Sequence, residues 1–308
     1  MAPQGAEGML IVDKPQGLTS HDVVARLRRI LGTRKVGHGG TLDPMATGVL
    51  VCGAGRATKL LGIVALADKE YFATARLGIS THSDDAMGAV TSLIGAQIDI
   101  ATIDAALNAS RGVVQQRPSS VSAIKVDGKR AYDLVRQGEE VQLPMREVTI
   151  SELMVEAIRH YVVDGLPVTD IDLRVVCSSG TYVRAIARDL GEALGVGGHL
   201  TMLRRTRVGR YTIDRSQTLG ELMADEPRPP NLISMIDIAR EEFPVLVLTE
   251  AQSVDVAHGA RIALPEHAGE MTGLVAVVDF RGQLLAISDV IDARLVHRMV
   301  LADDSGRL

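Results

Sequence analysis

Apolar and polar positions alternate along this chain with two different periods. Met9 to Asp13 is a short apolar run closed by Lys14-Pro15-Gln16-Gly17, which predicts a strand and a turn. Thr19 or Ser20 can cap a following helix, in which Val23, Leu27, Ile30 and Leu31 recur at helical spacing and Arg26, Arg28 and Arg29 take other faces. Residues 36–48 hold Gly37, Gly39, Gly40 and Gly48 and predict a loop. Further on, Ile171, Leu173, Val175 and Cys177 alternate with Asp170, Asp172 and Arg174, the period of a half-buried strand. After Ser178-Ser179-Gly180 the period returns to helical, with a stripe of Val183, Ile186, Ala187, Leu190 and Leu194 that stops at Gly195, Gly197 and Gly198. Pro227, Pro229 and Pro230 interrupt the pattern. Beyond Phe243 come short β-like runs, Val245 to Leu248, Leu274 to Phe280 and Leu284 to Ile287, the last two joined by a turn at Arg281-Gly282. These elements predict an α+β protein whose residues 245–308 form a small, mostly β second domain.

The 308 residues exceed what a chain needs to bury a full core without staples. The two cysteines, Cys52 and Cys177, sit in apolar stretches with no CxxC pair, which reads as two buried thiols in a reducing compartment. No cation precedes Lys14, so the N-terminus does not read as a secretory signal. The apolar run Leu60 to Ala67 is far shorter than the roughly 20 residues of a membrane span. We therefore expect a cytoplasmic protein with no membrane partner.

Net charge is −5, which by itself argues against a polyanionic partner. Its distribution changes that picture. Residues 25–59 carry +6, with Arg26, Arg28, Arg29, Arg34, Lys35, Arg56 and Lys59 against Asp43 alone. Residues 111–136 and 184–210 carry +4 each. A local field steers a polyanion to a surface whatever the net charge is. On charge alone, three solvated faces remain the alternative.

One segment concentrates candidate chemistry: His38-Gly39-Gly40-Thr41-Leu42-Asp43-Pro44-Met45-Ala46-Thr47-Gly48. A lone aspartate in such a loop is usually a turn residue. Pro44 weakens that reading, because it offers no N–H to cap and restrains Asp43 toward extended backbone.

With this segment the sequence resembles the TruB-type tRNA pseudouridine synthases. The resemblance is carried, in the family's order, by Lys14-Pro15-Gln16-Gly17, His38 to Leu50, Lys69-Glu70-Tyr71, Arg117-Pro118-Ser119, Ser122-Ala123-Ile124-Lys125, Gly128-Lys129-Arg130, Ala131-Tyr132, Cys177 to Arg184 and Leu203-Arg204-Arg205. It covers residues 9–210 and is weaker beyond 245. It implies a pseudouridine-synthase fold, with a mixed, largely antiparallel central sheet flanked by helices. A catalytic domain would span 1–240, with an RNA-gripping insertion at about 115–147, and a PUA-like RNA-binding domain would span 245–308.

The implied reaction breaks the N1–C1′ bond of uridine 55 in the T-loop of tRNA, rotates the uracil and joins C5 to C1′, with no metal and no cofactor. Its partner is the T-stem-loop, met by a monomer. Asp43 would be the catalytic nucleophile. Whether it adds covalently or abstracts a ribose proton stays open. The target base must leave the stack before it can react, and Tyr71 and Tyr182 are the rings matched to it. Leu203 would line the base pocket, Arg184 would pair with Asp43, and His38 would contact the rearranged RNA loop. Lys14, Lys125, Lys129 and Arg130 would contact phosphates. The loop Thr81 to Gly88 keeps Asp85 but has His82 and Met87 where the family often has acids. A non-catalytic alternative is an RNA-binding or tRNA-folding chaperone using the same surface.

Overall fold

The computed structural model describes residues 6–119 and 143–302 in full, and the backbone of 125–126 and 129–130. β1 (Gly8–Lys14) leads into α1 (Ser20–Ile30). Thr19 accepts from the Asp22 N–H while the Asp22 carboxylate accepts from the Thr19 N–H, a capping box that fixes where the helix starts. The glycine-rich segment is flanked by two strands rather than being loop throughout: β2 (Val36–His38) pairs with β3 (Thr47–Ala54). There follow α2 (Leu61–Leu66), β4 (Lys69–Leu77), the hairpin β5 (Ile79–Thr81) and β6 (Val90–Leu93), α3 (Ile100–Leu107), and β7 (Gly112–Gln116). β8 (Lys125–Val126) and β9 (Lys129–Arg130) pair with each other. The side chains of Lys125, Lys129 and Arg130, expected at phosphates, lie outside the described residues.

A long hairpin then joins β10 (Arg146–Val163) to β11 (Leu166–Cys177) through Asp164-Gly165. Both turn residues have positive φ, 50° and 83°, the left-handed pair that matches strand twist in a two-residue turn. α4 (Val183–Ala193) and β12 (Gly198–Val208) follow, then β13 (Tyr211–Thr212), β14 (Gln217–Thr218), α5 (Leu219–Met223) and α6 (Met235–Glu242). The last part comprises β15 (Val245–Val247), α7 (Glu250–Ala257), β16 (Gly273–Val278), β17 (Leu284–Ile291) and β18 (Arg294–Val300).

The central sheet runs β14-β1-β3-β12-β4-β11-β10-β7, with β2 on β3 and β13 on β12. Among the described residues only β1–β14 and β3–β12 are parallel pairs in this sheet, so it is mixed and largely antiparallel, as expected. Alternation along β1 and β3 sorts the molecule into layers. Leu10, Val12, Leu50 and Cys52 face α1, α3 and α4 in one core. Met9, Ile11, Val49 and Val51 face the other way and pack with Met235 and Ile238 of α6 and with Ala276, Val278, Leu284 and Ile287 of the second sheet. The second sheet, β15-β16-β17-β18, is thus joined to the first through an apolar core. Its outer face, with Val275, Val277 and Leu285, packs on Val256 of α7.

Candidate active site

The segment between β2 and β3 meets the ends of β4, β12 and α4 around a cavity of about 300 Å³. Asp43, Tyr71, Tyr182, Arg184 and Leu203 all line it, together with Lys69, Arg205, Thr181 and Ser179. Five residues singled out from four separate stretches of sequence therefore share one pocket. Leu203 and Arg205 lie directly opposite Ala73 and Tyr71 on the neighbouring strand.

The carboxylate of Asp43 stands at 2.9 Å from Arg184 Nε. Its side chain is 35% exposed, whereas that of Arg184 is 3% exposed. The guanidinium is held from behind as well: its Nη1 donates to Ser83 O at 2.7 Å and stands 3.4 Å from Asp85 Oδ2. Asp85 is itself fixed, accepting from Ser83 Oγ at 2.6 Å and from the Met87 N–H at 3.0 Å. The loop at 81–88 thus serves the pocket from inside, through Asp85. Arg184 is thus buried between two carboxylates, of which the more exposed, Asp43, faces the cavity.

Arg205 shapes the loop. It is 1% exposed and donates to Val49 O (2.7 Å), Gly40 O (3.0 Å) and Thr41 O (3.4 Å). Gly48 makes this approach possible. At φ +100° it lies so close to β12 that a Cβ there would sit 2.1 Å from Arg205 O. Tyr71 is buried, which pushes its phenol above the usual range, while the neighbouring Arg205 guanidinium acts in the opposite direction. Lys69 is 7% exposed and donates to Ala65 O and Ala67 O, and Ala65 O also accepts from Ser179 Oγ. Burial, with Arg205 nearby, pushes the Lys69 ammonium down to about 8.

One expectation changes. Lys14 is not placed to meet phosphate. It is fully buried, and its ammonium donates to Leu18 O at 2.6 Å, Pro15 O at 2.9 Å and Pro44 O at 3.5 Å, so it braces the main chain beside Asp43. Two cations of the first basic stretch are likewise engaged internally: Arg56 pairs with Glu7 at 2.7 Å, and Lys59 donates to Val300 O at 2.8 Å. His38 lies on β2, outside the cavity lining, edge-on to His21 with ring centroids 5.5 Å apart. Its Nδ1 is buried with no hydrogen-bond partner among the described residues, and desolvation lowers its pKa.

Lys69, Arg205, Asp85 and Gln116 were given no role on the sequence. Strand period was the available signal for two of them. Lys69 shares a face with Tyr71, and Arg205 shares one with Leu203. Among the described residues no three metal-capable side chains cluster, and no helix is long and apolar enough to cross a membrane.

The model of the TruB family pseudouridylate synthase N-terminal domain matches residues 28–183, and that of the tRNA pseudouridylate synthase B C-terminal domain matches 184–228. The seam falls inside the pocket, between Val183 and Arg184. The chain is 51% identical to tRNA pseudouridine synthase B of Thermobifida fusca, over 92% of this chain and 94% of that one. It is 52% identical to the protein of the same name from Streptomyces griseus, over 91% and 92%. Among solved structures it resembles a chain of a Cbf5-Nop10-Gar1 complex, with a TM-score of 0.70 and 27% identity over 98% of this chain and 87% of that one. An archaeal box H/ACA Nop10-Cbf5 complex gives 0.68 and 26%, over 98% and 88%. With relatives at this identity across nearly its whole length, and a pocket assembled from both matched segments, the chain belongs to the TruB family of pseudouridylate synthases, which are isomerases.

Proposed function

We propose that the chain converts uridine to pseudouridine in tRNA, at position 55 of the T-loop, and that Asp43 is the catalytic nucleophile. The observation that carries this reading is the pairing of Asp43 with Arg184. A carboxylate open to the cavity stands 2.9 Å from a cation buried behind it. The substrate class follows from the relatives' names. A base inside a folded RNA must be extruded to reach such a pocket, and Tyr71, Tyr182 and Leu203 supply apolar and ring surface to receive it. The reaction is a rearrangement within one nucleotide and proceeds without metal or cofactor. His38, beside the pocket, contacts the reshaped RNA loop. Lys125, Lys129 and Arg130 grip phosphates. Residues 245–308 form a separate PUA-like RNA-contacting domain whose sheet is anchored to the catalytic domain of residues 1–240.

Purified protein is incubated with unmodified tRNA in the absence of added metal, and pseudouridine is mapped by position. The wild type is expected to form one product at uridine 55. Asp43→Asn is expected to lower the rate by about a thousandfold or more while binding tRNA as before. Bound tRNA without product from the wild type, or undiminished product from Asp43→Asn, contradicts the proposal.

A further inference from the structure

α4 carries Arg184 and starts directly after Tyr182, so two pocket groups depend on where this helix begins. Tyr182 is its N-cap residue and makes no side-chain cap hydrogen bond. A helix start normally leaves its first N–H groups to a capping side chain or water, and an uncapped start is poorly fixed. Here the start is fixed from another element. Gln116, the last residue of the edge strand β7, turns its side-chain amide to the Tyr182 main chain. The Tyr182 N–H donates to Gln116 Oε1 at 2.8 Å, and Gln116 Nε2 donates to Tyr182 O at 3.0 Å. Gln116 is 4% exposed, so water is poorly placed to replace either bond.

Two antiparallel bonds to one residue's main chain are what a neighbouring β-strand offers. Among side chains, a primary amide offers the same donor and acceptor together. A second tie lies further along the helix, at Arg188. Arg188 Nη2 donates to Arg117 O at 2.8 Å. Residues 116 and 117 therefore hold α4 at two levels.

We propose that Gln116 is a positioning residue for the reaction. Its amide sets the Tyr182 main chain, and with it the ring at the cavity wall and the Arg184 guanidinium behind Asp43. The inference rests on the proposed pseudouridine chemistry and adds a residue to it. Gln116 does not line the cavity. Losing its amide should impair the chemical step and leave the RNA grip intact.

The test uses full-length protein in excess over unmodified tRNA, well below the melting midpoint of each variant. Single-turnover rate and tRNA Kd are measured for wild type, Gln116→Leu and Gln116→Glu between pH 6 and 8. Gln116→Leu is expected to slow the single-turnover step by roughly tenfold to a hundredfold, with Kd changed less than about threefold. Gln116→Glu carries the discriminating readout. Its carboxylate accepts from the Tyr182 N–H at any pH, but only the protonated acid donates to Tyr182 O. The rate ratio of Gln116→Glu to wild type should therefore rise as pH falls from 8 to 6. A merely structural role predicts no such recovery at pH values where the variant is folded throughout. A pH-independent ratio, an unchanged single-turnover rate, or a loss confined to Kd overturns the inference. If Gln116→Leu does not fold, the ratio for Gln116→Glu decides alone. An inactive wild type is a different result: it removes the functional proposal and this inference with it.

Discussion

The cations around the pocket and those on the far face of the central sheet are the same residue types in opposite situations. On the far face, Arg76 bonds Asp170 at 2.8 Å, Arg174 bonds Glu152 at 2.7 Å and Glu70 at 3.2 Å, and Arg159 bonds Asp172. Each of these arginines has carboxylate partners and is at least partly open to water. Around the pocket, Arg205, Lys14 and Lys69 are buried and bond backbone carbonyls instead. The more exposed pairs of the first group add little to stability, because water competes for them, whereas the Asp170 carboxylate opposite Arg76 is largely buried. Removing a cation of the second group takes donors from several main-chain carbonyls at once, the buried Val49 O among them. The difference shows that the charge on a cation says little about its contribution. What matters is whether water can take its place.

The sharpest way to break this contrast is Arg205→Met. It strips the donors from Val49 O, Gly40 O and Thr41 O at once and should destabilise the protein by about 3–5 kcal/mol. Urea unfolding measures this, and a loss below about 1 kcal/mol would put Arg205 with the far-face arginines.

A smaller effect is expected from pH. Lys14 and Lys69 are both pushed down to about 8 by burial, below the usual lysine value of 10.5. Below pH 8 each is protonated in the folded and unfolded states alike. Between pH 8 and 10.5 the unfolded chain binds more protons than the folded one, so the contribution of these lysines to stability rises with pH. The stability of wild type relative to Lys69→Met should accordingly improve from pH 8 to pH 10 in urea titrations. A gap that stays constant or shrinks would mean that the lysine is not held in its low-pKa state.

Arg159→Ala sharpens the other side. Its side chain is 49% exposed, and its loss should change stability by no more than about 0.5 kcal/mol. A larger change would show that the far-face ladder acts as one network.

The same contrast explains what the sequence allowed to be read. Periodicity located the strand at 171–177, the capped first helix and the second sheet, because each depends on which side chains leave water. It placed Asp43, Tyr71, Tyr182, Arg184 and Leu203 only through motif resemblance, since nothing local brings four distant segments to one cavity. Lys14 was misjudged because a lysine beside a turn looks solvated, and only the tertiary fold supplies the carbonyls that hold it. Gln116 was invisible for a related reason: its partner is the main chain of Tyr182, and a main chain has no letter in the sequence.

That last point reaches the Asp43 loop as well. Arg205 recognises the loop through the oxygens of Gly40, Thr41 and Val49, groups every amino acid possesses. Such a clamp does not discriminate among the side chains it restrains. Positions 41 and 49 are therefore free, as far as this clamp is concerned, to drift over generations while the curve of the loop persists. The heritable constraint is concentrated at Arg205 and at Gly48, which lets the two strands approach closely enough for the clamp to reach.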